Sequence, residues 1–265
     1  MDKKLTTSKI MQMKNNKKIV MITAYDALFA KIFNDIVDIL LVGDSLNMSF
    51  NAEPDTLSLD INAMLYHTKA VSKVANKALV IADMPFGTCY DEKSTLKNAI
   101  KLIKQGGADS VKIEGGLRVA PLVKRLCDEG ISVCGHIGLM PQQVRFEGGY
   151  KIKGKSIDDE KRLLDEALAL QEAGAFAVVL EGVVSQVAKK ISQSISIPTI
   201  GIGSGCDTDG QVLVWSDMLG FFDEFKPKFV KRYLDGAKIV KDAVQKYTNE
   251  VREIKFPSEE FEYRA

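Results

Sequence analysis

The chain has 265 residues, with 36 Lys and Arg against 35 Asp and Glu, a formal net charge of +1. So even a balance offers no concentrated basic surface for nucleic acid or an acidic membrane. At 46% hydrophobic and 27% charged residues the composition is that of a globular protein, which excludes the disordered and collagen-like classes. No apolar stretch approaches the roughly 18 residues of a spanning helix, and the start Met1-Asp2-Lys3-Lys4 leads into polar sequence, so a cytoplasmic protein is expected. Cys89, Cys127, Cys134 and Cys206 form no C-x-x-C pair and suggest neither a disulfide framework nor structural zinc.

In chain order, short apolar runs recur at residues 19–22, 39–42, 78–81, 111–113, 131–133, 177–180 and 199–202. Rich in Ile, Val and Leu with little alternation, they predict strands buried on both faces, as in a parallel sheet. Between them run helical periods such as Ile61, Met64, Leu65, Thr68, Val71 and Leu163, Leu164, Ala167, Leu168. Helices stop at Gly106-Gly107, Gly130 and Gly174, each a few residues before the next strand. Strand and helix alternate without a linker or composition shift, so the expectation is one α/β domain over residues 1–265.

Polar residues gather at one end of these strands. Asp44 follows 39–42, Asp83 follows 78–81, Lys112 and Glu114 flank Ile113, His136 follows 131–133, and Glu181 closes 177–180. The stretch from Gly107 to Gly115 aligns without gaps on that from Gly174 to Gly182, placing Glu114 and Glu181 at the same position of a repeated unit. The units recur roughly every 30 residues, and eight of them make a barrel of roughly 250. The prediction is a (β/α)8 TIM barrel with a short N-terminal helical extension, its eighth strand at 212–214. A doubly wound open sheet, which also collects polar groups at that end, is the competing fold.

The residue types suggest a chemistry. Asp44, Asp83 and Glu114 supply hard oxygens suited to Mg²⁺. Such an ion stabilises the enolate formed by removing a proton next to a substrate carbonyl. Glu181, following an apolar run, is the candidate base, and Lys112 and His136 the candidate partners of a substrate carboxylate. Taken singly, each has a plainer reading: an N-cap, a Lys112 pair with Asp109 or Glu114, a core imidazole. Gly201-Ile202-Gly203-Ser204-Gly205 is a possible ligand loop and Gly148-Gly149-Tyr150-Lys151 a possible lid. Cys134 and His67 read as structural, the Lys-rich start and acidic end as solvated.

These residues fall in motifs: Thr23-Ala24-Tyr25-Asp26, Leu41-Val42-Gly43-Asp44-Ser45-Leu46, Ala82-Asp83-Met84-Pro85-Phe86, Val111-Lys112-Ile113-Glu114-Gly115-Gly116, Cys134-Gly135-His136-Ile137-Gly138-Leu139 and Leu180-Glu181. In this order they resemble the ketopantoate (3-methyl-2-oxobutanoate) hydroxymethyltransferase family. The resemblance implies a homo-oligomeric, typically decameric, (β/α)8 barrel of pantothenate and coenzyme A synthesis. It would transfer a hydroxymethyl group from 5,10-methylenetetrahydrofolate to 3-methyl-2-oxobutanoate, giving 2-dehydropantoate. It implies Asp44, Asp83 and Glu114 as Mg²⁺ ligands, Asp44, Ser45, Asp83, Lys112 and His136 at the substrate, and Glu181 as proton acceptor. The rival is a Mg²⁺-dependent carbon–carbon lyase of the isocitrate-lyase and phosphoenolpyruvate-mutase type, a barrel similar to this one but independent of folate. The chain departs from the family pattern at Asn47, at residues 51–56, at Met140 before Pro141 and at Gly182.

Overall fold

A computed structural model describes residues 3–222 and 226–264. The elements of the first 214 residues run α1 (Thr7–Gln12), β1 (Ile19–Thr23), α2 (Ala27–Phe33), β2 (Ile39–Val42), α3 (Leu46–Asn51), α4 (Ile61–Ser72), β3 (Leu79–Asp83), α5 (Glu92–Ile100), β4 (Ser110–Glu114), α6 (Ala120–Asp128), β5 (Val133–Gly138), α7 (Val144–Glu147), α8 (Ile157–Glu172), β6 (Ala177–Glu181), α9 (Ser185–Ser194), β7 (Thr199–Ile202) and β8 (Gly210–Leu213). Each strand pairs in parallel with the next, and β8 returns to β1, so the sheet closes into a barrel. The predicted barrel and N-terminal helix are both present.

Local chemistry sets the boundaries. Thr6, Asp26, Asp60, Asp91 and Ser156 accept backbone N–H groups at helix starts, satisfying donors that have no partner inside the helix. Gly107 and Gly174 both take positive φ, 78° and 96°, three residues before β4 and β6, so the sequence repeat is a repeat of turn and strand. Two predicted strands shift. Residue 131 belongs to the turn that ends α6, its N–H donating to Leu126 O, and β5 begins at Val133 and continues through Gly135 to Gly138. Gly135 does not break it, because a Cβ there would lie 2.7 Å from Leu170 Cδ1, and glycine lets α8 close onto the strand. His136 therefore lies inside β5, not beyond it. Likewise β8 starts at Gly210, where a Cβ would meet Ile19 O at 2.5 Å.

Alternate residues of seven of the eight strands fill the barrel. Ile19, Met21, Ile39, Leu41, Leu79, Ile81, Cys134, Ala177, Val179, Ile200, Ile202 and Val212 form a continuous buried core, which Ile10 of α1 joins, with Leu5 and Met13 packed against it. Two residues further along the same face, the side chains turn polar: Asp83 above Ile81, His136 above Cys134, Glu181 above Val179.

The Lys-rich start is not a solvated tail. Asp38, Asp109 and Asp209 immediately precede β2, β4 and β8 and accept the N–H of Val20, Val80 and Thr199 at 2.8–2.9 Å. Lys17, Lys4 and Lys14 pair with them at 2.9, 2.6 and 2.7 Å respectively. The extension is tied to the N-terminal end of the barrel by charge as well as by Ile10.

Contacts divide the chain into two compact units, residues 1–214 with the barrel and residues 215–265. The second unit holds α10 (Trp215–Met218) and α11 (Gly236–Arg252), with Tyr247, Phe256 and Phe261 in aromatic contact at 5.6 and 5.7 Å. Among the described residues no helix is long and apolar enough to cross a membrane.

Candidate active site

Parallel register assembles the site. Asp83 lies directly opposite Lys112, Glu114 opposite His136, and His136 opposite Val179, two residues below Glu181. Side chains on one sheet face at these positions must meet. Lys112 Nζ lies 3.1 Å from Asp83 Oδ1, 3.2 Å from His136 Nδ1 and 3.9 Å from Glu114 Oε1. His136 Nδ1 is 3.5 Å from Glu114 Oε1, and its Nε2 is 3.3 Å from Glu181 Oε2. Asp44 joins from the loop after β2, its N–H donating to Asp83 Oδ2 at 3.0 Å. The polar groups thus form an arc round the C-terminal ends of β2 to β6. Ser45 stands beside Asp44 with Oγ 2.7 Å from the hydroxyl of fully buried Tyr25, whose carbonyl faces His67 Nδ1 at 2.6 Å. His67 thereby has the structural role expected of it.

Asp44, Asp83, Lys112, Glu114 and His136 are all 5% exposed or less, whereas the Glu181 side chain keeps 19% of its surface. Burial, then the charges of Asp83 and Glu114, push the Asp44 carboxyl well above the ordinary carboxylate range. Asp83 is raised by burial against the opposing pull of Lys112. For Glu114 burial is outweighed by His136, Lys112 and the Gln142 N–H, and its carboxyl is lowered. Lys112 is raised, its burial overcome by Asp83, Glu114 and Asp44. His136 is drawn down by burial and Lys112, but Glu114 and Glu181 prevail and push it up to about 9. Whether its Nδ1 accepts from Lys112 or the ring is an imidazolium, Nε2 carries a proton and faces Glu181.

Three buried atoms of the arc face only its own charged groups: Asp83 Oδ1 faces Lys112 Nζ at 3.1 Å, Glu114 Oε1 faces His136 Nδ1 at 3.5 Å, and His136 Nε2 faces Glu181 Oε2 at 3.3 Å. Ionisable groups buried this close together at the C-terminal ends of barrel strands mark a candidate ligand site. As placed, Asp44, Asp83 and Glu114 do not close into a three-carboxylate cluster, and no such group of His, Cys, Asp or Glu occurs among the described residues. Lys112 stands between Asp83 and Glu114, and Gln142 caps Asp44. The donor set nonetheless fits Mg²⁺, which takes one or two carboxylates and keeps several waters, and the buried carboxylate oxygens of Asp44, Asp83 and Glu114 are hard donors.

Sequence reasoning missed Gln142, whose amide donates to Asp44 Oδ2 at 2.8 Å and whose N–H donates to Glu114 Oε2 at 3.1 Å. Pro141 beside it signals a turn at the rim, but an uncharged amide carries no sign of its target. Other candidates resolve as packing. Cys134 is fully buried, and burial pushes its thiol up to about 12. Ser204 of the glycine-rich loop donates to Leu180 O and accepts from Val183 N, tying the ends of β6 and β7 together. Asn47, one of the departures, is buried and donates to Asp55 O and Ser58 Oγ at 2.9 Å each, pinning the loop between α3 and α4. Gly182, another, takes φ 56°, in the left-handed region that glycine enters without steric cost.

A closed parallel barrel with ionisable groups collected at the C-terminal ends of its strands is the architecture of (β/α)8-barrel enzymes. Within that class the chain belongs to the ketopantoate hydroxymethyltransferase family, whose model matches residues 4–259. It is 62% identical to the 3-methyl-2-oxobutanoate hydroxymethyltransferase of Campylobacter curvus (strain 525.92), over 99% of this chain and 98% of that protein. The protein of the same name from Helicobacter pylori (strain Shi470) is 58% identical, over 97% of this chain and 95% of that one. Solved structures share the barrel at low identity: 2,3-dimethylmalate lyase at TM-score 0.60 and 15% identity, covering 99% of this chain and 92% of that one, and phosphoenolpyruvate phosphomutase from Streptomyces platensis subsp. rosaceus at 0.62 and 13%, covering 94% and 88%. The rival lyase class is thus similar in fold, while the sequence relationship is to the transferases.

Proposed function

We propose that the protein transfers a hydroxymethyl group from 5,10-methylenetetrahydrofolate to 3-methyl-2-oxobutanoate, giving 2-dehydropantoate and tetrahydrofolate. The observation that supports this reading is the meeting of buried Asp83, Lys112, Glu114 and His136 in close ion pairs beside the one partly open carboxylate of the arc, Glu181. Asp44, Asp83 and Glu114 would hold Mg²⁺, which when bound polarises a substrate carbonyl and stabilises charge on its oxygen. Lys112 and the Nε2–H of His136 offer positive charge and a donor to the substrate carboxylate, and Ser45 a hydroxyl that Tyr25 orients. Glu181 takes the C3 proton. C3 then forms a bond to the one-carbon unit of the folate, and water supplies the hydroxyl as tetrahydrofolate leaves.

The same reading makes the protein a cytoplasmic homo-oligomer, a decamer by family resemblance. Exposed apolar side chains support self-association: Leu28, Ile32 and Ile36 recur every fourth residue, as do Val240 and Val244 of α11.

The test is proton NMR of 3-methyl-2-oxobutanoate in D₂O with protein and Mg²⁺, without folate. Loss of the C3 proton signal, abolished by EDTA and by Glu181→Gln, is expected. A signal that persists, also after tetrahydrofolate is added, would send the assignment to the lyase substrates.

A further inference from the structure

Gln142 lies on no barrel strand, yet it touches two of the three candidate metal carboxylates. Its amide group donates to Asp44 Oδ2 at 2.8 Å and to the Met84 carbonyl at 3.0 Å, while its backbone N–H donates to Glu114 Oε2 at 3.1 Å. With one bond to a carboxylate and another to a main-chain oxygen, the carboxamide has a single orientation. The segment that carries it is held on both sides. Pro141 opens the short turn Pro141–Gln143 and fixes its entry. Three residues on, Arg145 Nε donates to Asp55 Oδ2 at 2.9 Å. Further along, Lys153 N–H donates to Gly182 O at 2.8 Å and Val184 N–H to Lys153 O at 2.9 Å, directly beyond Glu181.

These contacts occupy one oxygen of each carboxylate. For Glu114 the other, Oε1, points into the arc, 3.5 Å from His136 Nδ1 and 3.9 Å from Lys112 Nζ. A carboxylate that ligates a cation is aimed by the hydrogen bond on its second oxygen, and removing such a bond lowers metal affinity roughly 10- to 100-fold. We propose that Gln142 is a positioning residue: its side chain and backbone together aim Asp44 and Glu114 at a divalent cation. This rests on the metal reading above. A residue that merely plugged the site would act in the opposite sense, since its loss would free Asp44 Oδ2 for the ion.

The experiment titrates metal-free protein with Mn²⁺ alone, reading free Mn²⁺ by electron paramagnetic resonance, for the wild type, Asp44→Asn, Gln142→Leu and Gln142→Ala. The expected result is Mn²⁺ binding by the wild type, its loss in Asp44→Asn, and affinity about 10-fold or more weaker in both Gln142 variants, at melting temperatures near that of the wild type. Unchanged or tighter binding in the Gln142 variants overturns the proposal and leaves the metal reading standing. A wild type without Mn²⁺ binding, or an Asp44→Asn variant that binds equally well, overturns both. If Gln142→Leu melts low, Gln142→Ala decides by the same criterion.

Discussion

The two ends of the barrel hold buried charge in different ways. At the N-terminal end Lys14 pairs with Asp209 and also donates to Ser192 O, and the Asp209 carboxylate accepts the N–H and hydroxyl of Thr199. Neither side chain leaves a buried polar atom unmatched. At the C-terminal end the carboxylates of Asp83, Glu114 and Glu181 share one lysine and one histidine at 3.1–3.9 Å, with Asp44 beside Asp83. The carboxyl of Asp209 is lowered because Lys14 and Thr199 outweigh burial, whereas that of Asp44 is raised by burial and by its acidic neighbours. A satisfied buried network holds a fold together. One in which several carboxylates share a single lysine and a single histidine at the C-terminal ends of barrel strands is the arrangement the proposed site requires.

That contrast can be broken at either end. The largest expected effect is functional: Glu181→Gln slows C3 proton exchange by about 10³-fold, with the urea midpoint unmoved. A midpoint that falls with the activity would make Glu181 a structural residue. Next comes stability at the other end. Asp209→Asn leaves Lys14 buried and unpaired and loses about 3 kcal/mol at neutral pH, read by urea denaturation. Because the folded Asp209 carboxyl is lowered from 3.8, its contribution is present above that value and lost as pH falls through it. The gap between wild type and Asp209→Asn therefore narrows below about pH 4; a gap that widens on acidification would reverse the assignment.

Two smaller effects sharpen the comparison. Burial pushes the thiols of Cys134 and Cys89 up to about 12 and about 11, whereas Cys206 is exposed. Iodoacetamide at pH 8 is expected to label Cys206 in the native protein and the other two only on unfolding. Mass mapping of labelled peptides checks this; early Cys134 labelling would mean that the barrel interior beneath Lys112 is open. Smallest is Lys17→Ala, since Lys17 is 65% exposed beside Asp38. Its loss is expected to change stability by about 0.5 kcal/mol, and a change as large as that of Asp209→Asn would contradict the distinction between buried and exposed pairs at this end.

Much of this was legible in the sequence. Seven of the eight strands were marked by apolar runs, and Asp44, Asp83, Lys112, Glu114, His136 and Glu181 stood out because charge at the end of an apolar run is conspicuous. The aligned stretches ending in Glu114 and Glu181 foretold two equivalent strands. What was not legible depends on partners far apart in the chain. Glycines inside β5 and at the start of β8 look like breaks, and only the neighbouring Leu170 and Ile19 show why they are strand residues. Lys4, Lys14 and Lys17 look like a solvated run until the barrel closes and sets Asp109, Asp209 and Asp38 beneath them. Gln142 has no charge and no periodicity, and its meaning comes from Asp44, 98 residues away.

The most direct measurement compares Asp44→Asn with Asp209→Asn by urea denaturation of metal-free protein at neutral pH. Asparagine at position 44 keeps an oxygen for the Gln142 amide but removes a carboxyl whose charged form burial and two carboxylates oppose. The expected result is opposite signs, with Asp44→Asn raising the midpoint above that of the wild type and Asp209→Asn lowering it. Loss of stability in both would mean that the charges at the two ends do the same structural work, and would contradict the reading of the C-terminal arc as a site held for its ligand.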